Sequence, residues 1–223
     1  MSDFIEAADT NSEISGNSDP QQAIRRFEER LVSARALGDR RGEGQALFDL
    51  GAGLFSLGDE RRAIVSLEQA LVITRELGDR QRECQILLSL GGAHQMLGAA
   101  RSALKCYAQS LAILGQLGDR HTEGVVLNSL GDVYIFLGDS HRASECYRRS
   151  LTIFREIGDR NYAAIVCWSM GEMLAGQREY ARAAELMQAL VDYEREIDHT
   201  DADHHAMVLE QVRMRATKES SSI

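Results

Sequence analysis

One proline, two lysines and one tryptophan are all that this 223-residue chain holds of those types, at Pro20, Lys105, Lys218 and Trp168. Past Pro20 nothing carries the ring that breaks a helix, so long helical runs meet no obstacle. Recognition by lysine clusters is excluded, because the cationic charge is otherwise all arginine. No apolar run approaches the roughly 18 residues needed to cross a bilayer, and Met1 to Asp19 is acidic and polar rather than basic and then apolar. A soluble, cytoplasmic protein is expected. Acidic residues outnumber basic ones 34 to 25, and the net charge of -9 repels nucleic acids and anionic membranes, so neither is an expected partner. The four cysteines, Cys84, Cys106, Cys146 and Cys167, have no C-x-x-C spacing and fall within helical patterns, which suits packing in a reducing compartment. Catalytic equipment is missing as well. No histidine is placed beside a serine or cysteine nucleophile with an orienting acid, and no glycine-rich phosphate loop occurs, so neither an enzyme nor a cofactor is expected.

What the chain has is a register. Leu-Gly-Asp-Arg occupies Leu37 to Arg40, Leu77 to Arg80 and Leu117 to Arg120, and returns as Ile157 to Arg160, a spacing of 40 without slippage. Leu57-Gly58-Asp59, Leu97-Gly98-Ala99 and Leu137-Gly138-Asp139 fall midway, so a turn recurs every 20 residues. Between turns, apolar residues are spaced by three and four, as at Leu47, Leu50 and Leu54, then Ile64, Leu67 and Leu71. That spacing lays one stripe along a helix and is incompatible with strand alternation. In each turn the glycine can close one helix in the left-handed conformation while the aspartate caps the next. Ten helices are predicted, over 19–36, 41–56, 60–76, 81–96, 100–116, 121–136, 140–156, 161–175, 179–196 and 201–216. Residues 1–18 and 217–223, rich in Ser, Asn, Asp and Glu, are expected to be disordered tails.

These residues resemble the tetratricopeptide (TPR) family. Leu47, Leu50, Gly51 and Leu54 match its first-helix signature and Ala63, Leu67 and Ala70 its second, and the match recurs at Leu87, Leu90, Gly91, Ala103 and Tyr107 and at Leu127, Leu130, Gly131, Tyr134, Ala143 and Tyr147. The usual unit is 34 residues; a 40-residue unit resembles the variety in Pins-type spindle-orientation adaptors and bacterial TPR regulators. The resemblance implies an all-α, right-handed TPR solenoid of antiparallel helix pairs over 19–216. It would comprise a half-repeat at 19–40, four repeats at 41–80, 81–120, 121–160 and 161–200, and a capping helix at 201–216 with Val208, Leu209 and Val212 inward. HEAT repeats share the period but normally use a proline within each repeat. The fourth repeat departs from the pattern, with Gln177-Arg178-Glu179 in place of the half-period turn.

In the family, first helices line a concave groove. Carried across, the resemblance selects Phe48, Phe55, Leu88, Met96, Asn128, Asp132, Ile135, Trp168 and Glu172 for a peptide-binding groove. Phe48, Leu88, Asn128 and Trp168 share one repeat position yet differ completely, whereas Leu50, Leu90, Leu130 and Met170 scarcely vary; divergence at a repeated position marks recognition, or else gap-filling between first helices. Asp132 and Glu172 share another position and would suit a partner with apolar anchors and basic residues, unless they are simply solvated acids. Arg40, Arg80, Arg120 and Arg160 form a column that either pairs with acidic groups of a ligand or opens each helix and bonds within the chain. His199, Asp201, Asp203, His204 and His205 are metal-ligand types, read here as a helix start and not as a metal site. The expected function is a protein-protein interaction adaptor that holds a partner peptide or helix in the groove. The alternative is a homo-oligomeric scaffold without a peptide ligand.

Overall fold

The computed structural model describes residues 20–220 and holds ten α-helices, with no strand among the described residues. They are α1 (Pro20–Leu37), α2 (Arg40–Ser56), α3 (Glu60–Leu77), α4 (Arg80–Met96), α5 (Ala100–Leu117), α6 (Arg120–Phe136), α7 (Ser140–Ile157), α8 (Arg160–Gly176), α9 (Tyr180–Glu196) and α10 (Ala202–Ser220). Residues 1–18, expected as a tail, lie outside the described residues, as do 221–223. From α1 to α5, and again from α6 to α10, helices consecutive in sequence pack on one another, which makes this an all-α repeat fold of the solenoid class.

The turns act as their residue types require. Gly38, at φ +67°, closes α1, and the Asp39 amide donates to the Ala34 carbonyl at 2.9 Å. The Asp39 side chain then accepts from the Gly42 amide, which makes Arg40 the first residue of α2. The same cap operates at Asp59, Asp79, Asp119, Asp139 and Asp159. Two turns keep the shape without the chemistry. Ala99 makes no side-chain cap, and neither does Glu179, which follows Arg178 at φ +67°. The Glu179 amide still donates to the Leu174 carbonyl at 2.9 Å, so the divergent turn of the fourth repeat preserves the helix pair.

Close approach within each pair depends on a glycine. A Cβ at Gly91 would lie 2.4 Å from the Tyr107 ring, and one at Gly131 would lie 2.3 Å from the Tyr147 ring. The aromatic ring of the second helix therefore lies flat against first-helix backbone.

The chain divides into two compact units, one ending at Gly118 and the other starting at Asp119. In the first, Phe27, Leu47, Phe48, Leu67 and Ile73 centre a core drawn from α1 to α4. In the second, Tyr147, Phe154, Val166, Met187 and Leu209 centre one drawn from α7 to α10. Leu209 and Val212 of α10 are buried and Val208 packs beside them, as expected of a capping helix. That helix does not stop at residue 216. It continues through residues 217–220, which were expected as tail, and its polar side chains are anchored: Glu219 pairs with Arg178 at 3.1 Å and Arg213 donates to Gln188.

Candidate functional site

The arginine column lies where the caps put it, at the first position of α2, α4, α6 and α8, and its donors are already occupied. Arg40 donates to Glu76 at 2.7 Å and Glu43 at 2.9 Å, Arg120 to Glu156 at 2.9 Å and Glu123 at 2.6 Å, and Arg160 to both carboxylate oxygens of Glu196. Arg80 donates to Glu83, shared with Arg75, because Gln116 stands where its neighbours have a glutamate. Hydrogen bonds from Arg35, then Arg40, hold Glu43 below the usual carboxylate range. Arg40, Arg80, Arg120 and Arg160 are thus helix-opening residues bonded within the chain, and the reading of them as ligand-pairing groups is corrected.

On the first unit's first helices, Phe48 is only 1% exposed and the Arg82 guanidinium lies 4.9 Å above its ring. A residue so covered is core, so its expected place as a groove contact is corrected and the gap-filling alternative describes it. The variability of its repeat position follows from packing: this side chain meets the next first helix, whose own residues differ. Phe55 leans over Gly92 and is partly buried, Leu88 is half-buried, and Met96 is exposed.

On the second unit's first helices the situation differs. Asn128 is 7% exposed, and its Oδ1 is buried without a hydrogen-bond partner. One helical turn later, the Asp132 Oδ1 accepts from the Tyr147 hydroxyl at 2.7 Å. Burial pushes the Asp132 carboxyl up to about 6; the Tyr147 bond counteracts this and nearby Glu172 adds to it. The Tyr147 phenol is itself driven far up, by burial first and then by the Asp132 charge. Asp132 and Glu172 are therefore not a solvated pair: Glu172 is exposed, but Asp132 is tucked behind the tyrosine. Ile135 and Phe136 end α6 as exposed apolar groups, Phe136 at 69%.

Trp168 is half-buried in the second core and tilts against the His205 ring, centroids 4.6 Å apart. His205 in turn bonds the buried Glu194 carboxylate through Nδ1 at 2.8 Å. His205 thus ties α10 to α9, while the His199 ring accepts from the Asp201 amide in the turn between them. Sequence reasoning missed Arg82, Tyr147, Glu194 and His205 as partners of the candidate residues. The one available signal was the recurrence of Tyr107 and Tyr147 opposite a repeated glycine. A shallow hollow of about 660 Å³ elsewhere on this unit is lined by His121, Asp159, Arg160, Tyr193 and Glu196. Arg160 pairs there with Glu196, and the His121 Nε2 lies 3.2 Å from an Asp159 carboxylate oxygen.

Residues 82–156 match the tetratricopeptide repeat family model. Over those residues the chain carries tetratricopeptide repeats. No curated protein matches the sequence. Among solved structures, the TPR chain is similar to a signal transduction ATPase with numerous domains that carries a tetratricopeptide repeat sensor, from Pyrococcus horikoshii, at 19% identity and TM-score 0.75; the alignment covers 94% of this chain and 34% of that one. BtubC from P. vanneervenii is 16% identical at TM-score 0.71, with 93% and 89% covered. A Rap protein complexed with competence and sporulation factor is 16% identical at TM-score 0.61, with 90% and 60% covered. At these identities the likeness is one of fold. The TPR chain spans about a third of the Pyrococcus protein's length. No helix among the described residues is long and apolar enough to cross a membrane.

Proposed function

We propose that this TPR protein is a non-enzymatic interaction module whose second unit receives an extended or helical segment of another protein on the inward face of α6 and α8. The observation that carries this reading is the exposed apolar pair at the end of α6, Ile135 and Phe136, the latter 69% exposed. The contrast with the arginine column supports the reading, since polar groups there are paired off within the chain. A protein complexed with a factor on the same fold, as in the Rap structure, is consistent with it.

Affinity capture with wild-type and Phe136→Glu baits tests the reading, followed by calorimetry with a synthetic segment of the captured protein. Binding near micromolar, about -8 kcal/mol, is the expected result. It should weaken at least about tenfold in Phe136→Glu at unchanged thermal stability, because a charge replaces an apolar contact of roughly that worth. A segment that binds both baits equally places the contact elsewhere. The alternative of a self-associating scaffold predicts a mass that grows with concentration in light scattering, and a strict monomer excludes it.

A further inference from the structure

Each first helix is apolar where it meets its own second helix. Leu47, Leu87, Leu127 and Cys167 fill one such position and Leu54 and Leu174 another, all of them buried. The register of 40 puts Met207 and Met214 of α10 at these two positions, yet no second helix covers them among the described residues, and they are 60% and 48% exposed. The opposite face of α10 is buried through Leu209 and Val212, so this one helix is apolar on two sides. At α1, which has no first helix among the described residues, the corresponding face is polar. Arg26, Arg30 and Ser33 are exposed there, where α3 buries Ser66, Ala70 and Ile73. One unpartnered helix face is thus dressed for water and the other is not. A helix of the repeat type does not fit over Met207 and Met214. The repeats seat their second helices on Gly51, Gly91, Gly131 and Gly171, and α10 has Gln211 at that position. The exposed stripe is instead complementary to itself. Asp203, Met207, Glu210, Gln211, Met214 and Lys218 are spaced by 4, 3, 1, 3 and 4 residues, a pattern that reads the same from both ends, with an acid at one and a base at the other.

We infer that α10 pairs antiparallel with α10 of a second copy of this chain, about a two-fold axis that passes between Glu210 and Gln211. In that arrangement Met207 of each copy lies level with Met214 of the other, and Asp203 with Lys218, so apolar meets apolar and acid meets base in both halves of the interface. The helices need only the ordinary interaxial spacing of about 8–10 Å, to which Gln211 is no obstacle. The same axis brings each flank of α10 against the same flank of its copy, so the two Glu210 carboxylates approach one another at the rim. That repulsion, and an interface of one helix measured against the roughly 800 Å² per partner of a stable complex, make the dimer weak. The surface is distinct from the proposed groove. At about 100° per residue the stripe leaves α10 on the side opposite His205, which meets Trp168.

Sedimentation velocity of the full chain from about 1 to about 500 µM, at about 0.15 M salt to screen the net charge of -9, tests the pairing. A monomer-dimer equilibrium with Kd on the order of 100 µM is the expected result. Met214→Glu should weaken it at least about tenfold, and Glu210→Gln should tighten it about twofold, both at an unchanged thermal midpoint because these side chains are exposed. Phe136→Glu should leave it unchanged. Orientation is read by cysteine cross-linking under mild oxidation, against wild type as background. Gln211→Cys, beside the axis, should give a disulfide-linked dimer. Asp203→Cys should not, because antiparallel pairing holds its two copies about 22 Å apart along the helices. A monomer across the whole concentration range overturns the inference. So does a dimer indifferent to Met214→Glu, or one dissolved by Phe136→Glu, which places the contact in the groove. Cross-linking through Asp203→Cys equal to that through Gln211→Cys overturns the antiparallel arrangement.

Discussion

Asp132 carries a stability prediction whose sign and size follow from the structure. Its carboxyl titrates near 6 in the fold against an ordinary value of 3.8, with burial as the main cause. The folded state therefore holds the proton more tightly than the unfolded chain does. The contribution of this group to stability is complete below about pH 4 and is lost as pH rises through about 6. A difference of about 2 units corresponds to about 3 kcal/mol, an upper figure because the carboxylate keeps some contact with solvent. Asp132→Asn stays neutral at every pH and can still accept from Tyr147. Urea denaturation of both proteins between pH 4.5 and pH 7.5, at micromolar concentration because the isoelectric point is near 5.2, isolates the effect from every other titrating group. The variant should gain on wild type by up to about 2 kcal/mol from the acid end to the neutral end. Parallel profiles would show that Asp132 is solvated and would refute its raised titration. Tyr147→Phe, which removes the one bond that favours the ionised form, should move the midpoint still higher.

The repeat packing yields three further outcomes, each checked by the midpoint of thermal or urea unfolding. Gly131→Ala forces a methyl to 2.3 Å from the buried Tyr147 ring and should cost about 1–3 kcal/mol by overpacking, whereas Gly115→Ala, with nothing within 4 Å, should gain about 0.5–1 kcal/mol from helix propensity. Equal signs for the two would refute the close-approach account of the repeated glycine. Ala99→Asp supplies the aspartate cap that this turn lacks, at backbone angles near those of Asp59 and Asp139, and should stabilise by about 1 kcal/mol. Arg178→Gly relieves a left-handed non-glycine residue and should gain roughly 1 kcal/mol despite losing the exposed pair with Glu219.

Almost all of the helix pattern was legible before any coordinates. From α1 to α9 each observed end lies within one residue of its expected position, because Gly38-Asp39 and its repeats carry their own mechanism: a left-handed closure followed by a side-chain cap. The recurring shift of one residue at Arg40, Arg80, Arg120 and Arg160 follows from the same cap, which makes the next residue helical. Ser220 was not legible. Residues 217–220 look like tail by composition, and only the ion pair with Arg178 and the packing of α10 on α9 give them a reason to stay helical. The site was legible only as a set of candidates. Phe48, Asn128 and Trp168 occupy one repeat position, and their different fates were set by residues distant in sequence: Arg82 covers the phenylalanine, His205 meets the tryptophan, and the asparagine oxygen finds no donor.

The sequence by itself determined the period, the helices and their caps, because these depend on interactions within four or five residues. Which polar groups are paired, and which are left over, depends on the neighbours that packing brings together across 15 to 40 positions. Only the tertiary structure decided that the arginine column is bonded within the chain, and that Asp132 meets the neutral Tyr147 hydroxyl and, among the described residues, no cation.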